Sequence, residues 1–419
     1  MSNLLRAVAQ RLQGAGERKG RIDVKQLIAQ LDDGDLLRDA DAYFAGLSVQ
    51  SEQCYKPFSN VADAIHITRN VSLLLQAADV FRGAEVLDFG CATGWLSLAL
   101  ADLGCSVVGV DIAPAALQLA EAWCAQRGVR VGGAVRFAAY DGHRLPLDDN
   151  SVDRVVCFDA FHHVKDQTST LKELARVLKP GGRVAMVEPG PLHSQTEQSQ
   201  AEMSQYNVIE NDIVMADIAV AAQSAGLGLP QLLVQMQKPM VVPFEQYQEW
   251  SGTGGLPKVD GARLLASLQR HLTDTQCFYL QKPGAGAGID SRRPHALAAD
   301  IALRSAQVVE GQPGLYALNF RIRNTGEAVW RCKPGAVGQV NLGCQLLRPE
   351  GGVEHLDFSR FTISETDVLP DDLVDVSVRF QMPAGGAWVF GFDLVAEHVA
   401  WFAQVGRCKP VSWRPDNLF

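Results

Sequence analysis

The sequence predicts two architectures in one chain, a parallel α/β sheet with flanking helices and, C-terminal to it, an all-β sandwich. Three observations lead there. Between residues 85 and 190, nearly continuous apolar runs alternate with segments of helical spacing, as parallel strands joined by right-handed crossovers require. From about residue 296 the apolar period changes to two, with Gly- and Pro-rich turns between the runs. The length, 419 residues, also exceeds what one core usually spans, since single cores stop growing near ~250–300 residues.

Residues 1–52 read as a helical N-terminal extension. Leu4, Leu5, Val8 and Leu12 recur at helical spacing, and Ile22-Asp23-Val24-Lys25-Gln26-Leu27-Ile28 begins a second helix. Such an extension serves either as a lid or dimerisation arm, or simply packs on the core. Tyr55-Lys56-Pro57-Phe58-Ser59-Asn60 precedes a helix over 65–78; its aromatic residues either help enclose a ligand or staple the helix to the core.

The first strand, Val86-Leu87-Asp88-Phe89, runs into the turn Gly90-Cys91-Ala92-Thr93-Gly94, and a helix opens at Trp95. The second, Val107-Val108-Gly109-Val110, ends in Asp111, 21 residues after Gly90. Val135-Arg136-Phe137-Ala138-Ala139-Tyr140-Asp141-Gly142 reads as a third strand with an acidic tip. Residues 151–159 form a fourth, and its continuous apolar run suits a strand covered on both faces. Residues 171–178 have helical spacing, Lys179-Pro180-Gly181-Gly182 stops that helix, and Arg183-Val184-Ala185-Met186-Val187-Glu188 is a fifth strand.

A glycine turn lets a ligand approach the backbone, and a carboxylate ending the neighbouring strand accepts from a ribose diol, so this arrangement binds a nucleoside. Asp88 enters the turn, and neither Lys nor Ser/Thr follows Gly94 as in a phosphate loop. A carboxylate there repels pyrophosphate and suits a sulfonium. Taken singly, Asp111 also reads as the start of a helix near Pro114, and Asp141 as a turn residue before Gly142.

Together these pieces resemble the class I S-adenosylmethionine (SAM)-dependent methyltransferases, over roughly residues 56–190. The resemblance rests on Asp88-x-Gly90-x-x-x-Gly94, Asp111, Asp141-Gly142, Phe158-Asp159-Ala160-Phe161-His162-His163-Val164 and Leu178-Lys179-Pro180-Gly181-Gly182. It implies a Rossmann-like sheet and SAM as cofactor. Asp88, Gly90 and Gly94 would frame the methionine end, Asp111 would hold the ribose hydroxyls, and Asp141 with Gly142 would flank the adenine. Ile112 and Phe158 complete the implied cofactor set. One departure is Ala92, where the family usually has a glycine; the added methyl group is expected to be tolerated.

Methyl transfer to a hydroxyl needs in-line alignment, exclusion of water and a base, and a neutral imidazole suits that last task near neutral pH. His162 and His163, just past the fourth strand, are the base candidates, with Glu188 and His193 in reserve. Adjacent helical residues point about 100° apart, so at most one histidine should face the acceptor. The alternative is a helix-opening element in which one His packs and another bonds backbone. No metal ligand spacing is visible.

Composition narrows the function classes. The net charge of −9 and the lack of basic blocks interleaved with aromatics argue against a nucleic-acid substrate. Nine scattered cysteines without CxxC, an N-terminus broken by Arg6 and Arg11, and no bilayer-length apolar run lead us to expect a cytoplasmic protein, in the further reading peripheral to the inner membrane.

The strand–helix rhythm breaks over about 195–285, expected to be the acceptor region of a methyltransferase domain spanning 53–285. There 195–205 is polar, 209–225 is apolar with helical spacing, Met236-Gln237-Lys238-Pro239-Met240-Val241-Val242 looks like a late strand, and Pro243-Phe244-Glu245-Gln246-Tyr247 starts a helix. Pro283-Gly284-Ala285-Gly286-Ala287-Gly288 reads as a linker.

Residues 296–419 carry about seven short strands, among them 315–323, 340–347, 374–380 and 387–394, which suggests an immunoglobulin-like sandwich. Arg323-Asn324-Thr325-Gly326-x-x-x-Trp330, Leu342-Gly343 and Phe392-Asp393-Leu394-Val395-x-Glu397-x-x-x-Trp401-Phe402 resemble a sandwich appended to bacterial polysaccharide-biosynthesis enzymes. That resemblance implies a sugar hydroxyl of a surface polysaccharide or its precursor as acceptor, and glycosyltransferases as partners through the sandwich. Trp330, Trp388, Trp401 and Phe402 either stack on sugars or fill the core, the latter being where tryptophan usually goes. Two other functions stand beside this one, methyl transfer to another small acceptor such as a quinone or secondary metabolite, and a catalytically silent SAM-binding scaffold.

Overall fold

Seven strands form the first sheet: β1 (Glu85–Phe89), β2 (Ser106–Asp111), β3 (Ala134–Ala139), β4 (Val152–Phe158), β5 (Leu178–Pro189), β6 (Gln231–Leu233) and β7 (Thr275–Gln281). Their order is β3-β2-β1-β4-β5-β7-β6. The first five run parallel, and β7 is antiparallel to both β5 and β6. The order reverses between β1 and β4, which opens a crevice at the carboxyl ends of these strands, where open α/β sheets bind ligands. The computed structural model describes residues 20–416 apart from 131, 236–238, 240, 254–260, 285–288, 384–386 and 406.

The helices are α1 (Val24–Gln30), α2 (Asp33–Ala45), α3 (Val61–Ala78), α4 (Trp95–Asp102), α5 (Pro114–Arg127), α6 (Gln167–Val177), α7 (Glu197–Tyr206), α8 (Met215–Ser224), α9 (Phe244–Thr253) and α10 (Gly261–Asp274). Local chemistry fixes several starts. Asp23, Asn60, Asp166 and Thr196 cap α1, α3, α6 and α7 through side-chain oxygens that accept from backbone amides of the first turn. Pro114 occupies the first turn of α5, where no amide partner is needed. In β4 every residue from Val152 to Cys157 is buried, as its central place demands; Asp153 there accepts from the Glu85 amide and Lys179 Nζ.

Chain contacts divide the molecule into one unit of Met1–Val80 with Ala84–Gly286 and a second of Phe81–Gly83 with Ala287–Phe419. In the second unit, β10 (Val340–Leu347), β11 (Val353–Thr362), β13 (Val389–Ala396), β14 (Ala400–Trp401) and β15 (Val411–Trp413) form one antiparallel sheet. The other contains β8 (Ala299–Val308), β9 (Leu315–Asn324) and β12 (Leu373–Gln381). Phe320 and Ile322 from β9, Val378 and Phe380 from β12, and Phe390, Phe392 and Leu394 from β13 join one core, so the two sheets pack face to face. Asn324 explains the Asn-Thr-Gly turn: its amide donates to the Ala328 and Val368 carbonyls while its oxygen accepts from Gly326 N. Trp330 and Phe402 are fully buried and meet edge to face at 5.5 Å, and Trp401 lies beneath the Arg360 guanidinium. These aromatics are core and contact residues, not an exposed stacking platform.

Several expectations need correction. The helix read over 171–178 ends at Val177, and Leu178-Lys179-Pro180-Gly181-Gly182 already belongs to β5. The apolar run 209–225 becomes helical only at Met215, because 209–214 dips into the core without helical bonds. The polar stretch 195–205 is largely helix α7. Of the proposed late strand, residues 236–238 and 240 lie outside the described residues, and Pro239, Val241 and Val242 are not in a strand. Sheet pairing instead uses β6 before it and β7 after it, which joins the sheet antiparallel next to β5. The residues read as a first N-terminal helix, 285–288 of the linker, and 384–386 also lie outside the described residues.

All nine cysteines are free. Seven are buried and two, Cys124 and Cys408, are partly so. Among the described residues no helix is long and apolar enough to cross a membrane.

Candidate active site

The glycine turn is built as its composition requires. Gly90 and Gly94 both have φ 72°, in the left-handed region. A Cβ on Gly90 would lie 2.4 Å from the Ala160 Cβ, and one on Gly94 would lie 2.7 Å from Phe137 Cζ. Ala92 also sits at positive φ, 47°, and its amide donates to Asp111 Oδ2 at 2.9 Å. The other Asp111 oxygen accepts from Ala113 N at 3.0 Å. Asp111 therefore ties the turn to the start of α5, and burial raises its pKa against those stabilising amides. Asp141 accepts from the His143 and Arg144 amides, which hold its pKa low.

A cavity of ≈ 1940 Å³ opens over this turn, entirely within the first unit. Gly90, Asp111, Ile112, Asp141 and Gly142 line one wall, and His162, His163, His193 and Glu210 line another. Four sequence candidates stand elsewhere. Asp88 lies beneath the turn, 2 % exposed, where it accepts from Ser97 Oγ at 2.6 Å and burial lifts its pKa to about 7. The electrostatic argument that placed Asp88 against a pyrophosphate therefore fails. On the wall formed by the glycine turn, the carboxylates that face the cavity are Asp111 and Asp141. Gly94 starts α4, Phe158 packs edge to face on Trp95, and Glu188 is buried below the histidines. Lys56 reaches the cavity; Phe58 is 75 % exposed, and Tyr55 packs on Trp123, so neither forms part of its lining.

The histidine wall is a network. Glu188 accepts from the Ala160, Phe161 and His162 amides and from His162 Nδ1 at 2.8 Å. Burial alone would lower the His162 pKa, but the Glu188 hydrogen bond and charge, with Asp159 and Glu210, raise it to about 9. His163 faces the cavity and donates from Nδ1 to the Ile209 carbonyl at 2.6 Å. Desolvation and the neighbouring His162 cation push its pKa down. The same ring-to-carbonyl bond fixes the tautomer and leaves Nε2 as an acceptor. So the pair divides its roles, His162 as a buried cation and His163 as a neutral imidazole on the cavity side.

The sequence offered no metal spacing, yet the fold brings His162, His193 and Glu210 within 4.8 Å of one another. Glu210 was missed altogether. It sits in the apolar run Val208-Ile209-Glu210, and the only signal was a carboxylate that such a buried run should not contain. Its pKa is held at about 2 because the His193 hydrogen bond and the histidine charges outweigh the cost of burial.

Residues 87–186 match the family model described as a methyltransferase domain. Over 102 residues the chain is 36 % identical to a ubiquinone biosynthesis O-methyltransferase of Xanthomonas euvesicatoria, which covers 24 % of this chain and 41 % of the relative. An uncharacterized methyltransferase of Bacillus subtilis is 26 % identical over 51 % of this chain and 84 % of its own length. A solved structure of a Haloferax volcanii complex between the Trm112 methyltransferase activator and a putative methyltransferase aligns with TM-score 0.42 and 21 % identity, over 59 % of this chain and 98 % of that one. The chain spans about two fifths of the length of the ubiquinone relative. Residues 87–186 of the chain therefore carry a methyltransferase domain.

Proposed function

We propose that the whole chain transfers the methyl group of SAM to a hydroxyl of a small-molecule acceptor, with His163 as general base. The observation that carries this reading is one continuous cavity joining the Gly90–Asp111 wall to the histidine wall. At ≈ 1940 Å³ it exceeds the ~300–1,000 Å³ usual for a single ligand, so it has room for cofactor and acceptor together. Asp111 receives the ribose hydroxyls, Asp141 and Gly142 flank the adenine, and the sulfonium points toward the histidines. In the transfer step the acceptor oxygen forms its bond to the methyl carbon as the sulfur–carbon bond breaks. His163 Nε2 takes the hydroxyl proton, and the cofactor leaves as the neutral thioether S-adenosylhomocysteine. His162 and Glu188 act as positioning residues that hold His163 against the cavity.

For the acceptor, we put first a sugar hydroxyl of a bacterial surface polysaccharide or its precursor. Support comes from the second unit, which we read as an immunoglobulin-like sandwich of the kind appended to polysaccharide-biosynthesis enzymes, where it would recruit glycosyltransferases. A quinone or related phenol is the second reading, supported by the ubiquinone O-methyltransferase among the relatives.

Transfer of labelled methyl from SAM into fractionated bacterial extract separates them. Label in the polysaccharide or lipid-linked sugar pool supports the first reading, and label confined to quinones or other small molecules supports the second. Bound SAM with no label in any pool defeats both and leaves a silent scaffold.

A further inference from the structure

Among the described residues, His162, His193 and Glu210 are the group whose ligand atoms converge within 4.8 Å. Glu210 Oε2 lies 2.7 Å from His193 Nε2 and 3.9 Å from His162 Nε2. Ligands about 2.1 Å from one ion stand roughly 3 Å apart, so modest side-chain rotation brings all three to a common centre. Two imidazoles and one carboxylate form the donor set that borderline divalent transition ions take in open sites.

Two further observations point to a cation. Glu210 is 2 % exposed, yet its Oε1 accepts no hydrogen bond. His163 Nδ1, at 3.5 Å, already donates to the Ile209 carbonyl, and the other neighbour is a second carboxylate, Glu202, whose pKa burial and the Glu210 charge raise to about 7. A buried carboxylate oxygen without a partner is costly unless something else meets it. The second is the arrangement around His162. Glu188 accepts a hydrogen bond from its Nδ1, which orients the ring and leaves Nε2 toward Glu210 and His193, as carboxylates behind metal-bound histidines do.

We infer that His162, His193 and Glu210 form a binding site for a divalent transition ion such as Zn²⁺ or Co²⁺ in the wall of the cavity. The ion meets the Glu210 Oε1 that no donor reaches, and it displaces the Nε2 proton of His162 as it binds. Three protein ligands leave a coordination position open to the cavity. Only this last consequence rests on the methyl-transfer reading: there the open position takes the acceptor oxygen, favours its deprotonated form, and selects acceptors with a hydroxyl over those without one.

The test needs neither SAM nor acceptor. Full-length protein, freed of metal with chelator and dialysed, is titrated with Co²⁺ and with Zn²⁺. One equivalent of each per chain is expected, with a Co²⁺ visible spectrum typical of mixed nitrogen and oxygen ligands. E210Q and H193A should bind at least about a hundredfold more weakly, and E188Q about 10–100-fold more weakly through loss of ring orientation. Retained SAM affinity certifies each variant as folded. For any variant that fails to fold, the wild-type chain decides: histidine ring resonances in ¹⁵N spectra should show two rings shifting on Zn²⁺ addition. No stoichiometric uptake by wild type, or uptake undiminished in E210Q and H193A, overturns the site. Neither result touches methyl transfer, which is read separately with labelled SAM.

Discussion

At the scale of residues, the proposed cofactor wall and base each rest on single side chains. Asp111 spends both oxygens on backbone amides, at 2.9 and 3.0 Å, while still lining the cavity. Asp111→Ala should weaken SAM binding about tenfold to a hundredfold, the worth of one or two charged hydrogen bonds, as read by calorimetric titration. His163→Ala should lower kcat about 10²–10⁴-fold with SAM affinity unchanged, and an equally active variant would remove it as the base. Asp88 gives a stability prediction. Its folded pKa of about 7 lies above the ordinary carboxylate value, so its contribution is fullest below pH ~4 and is lost as pH rises toward 7. Asp88→Asn keeps the Ser97 hydrogen bond without the buried charge. Its stability relative to wild type should therefore improve from pH 5 to pH 8, by on the order of 2 kcal/mol in denaturant melts. Turn chemistry and strand ends singled out Gly90, Asp111, Asp141 and Gly142 from sequence, and the family resemblance added Ile112, His162 and His163; all seven line the cavity. The division of labour between the two histidines was not. It depends on Glu188 and Ile209, which lie 26 and 46 residues away in the chain.

At the scale of elements, strands covered on both faces were readable and the antiparallel end of the first sheet was not. The stretch Thr-Gln-Cys-Phe-Tyr-Leu-Gln of β7 is short and polar at both ends, whereas 236–242 looked more strand-like. Val241 is nonetheless 88 % exposed, so composition there promised burial that the described residues do not provide. Helix α7 was hidden differently. It buries only Ser199 and Met203 and so lacks the apolar stripe by which helices are recognised. The β-sandwich alternation was clear, and its core carries a testable weight. Phe392 is fully buried against Phe320, ring centroids 4.8 Å apart, so Phe392→Ala should cost about 3–5 kcal/mol. Thermal melts followed by near-ultraviolet circular dichroism would show it, and a loss under 1 kcal/mol would mean the sheets repack freely.

For the molecule as a whole, each unit has its own hydrophobic core, one around Leu87, Val155 and Phe278 and the other around Phe320, Leu342 and Phe392. A ligand that binds only the native first unit stabilises that unit by mass action, about 2.7 kcal/mol at a hundred times its dissociation constant. SAM should therefore raise the calorimetric transition assigned to the first unit and leave that of the second in place; an equal rise in both would show a single cooperative block. The free cysteines allow each unit to be timed separately. Six of them (Cys54, Cys91, Cys105, Cys124, Cys157 and Cys277) lie in the first unit, and three (Cys332, Cys344 and Cys408) in the second. Burial raises the pKa of Cys157 and Cys344, so neither reacts as a thiolate until its surroundings open. An alkylating reagent added to the native chain would first mark partly exposed Cys124. The later labels, sorted by peptide mass, would then record how often each half of the molecule breathes, with no engineered probe required.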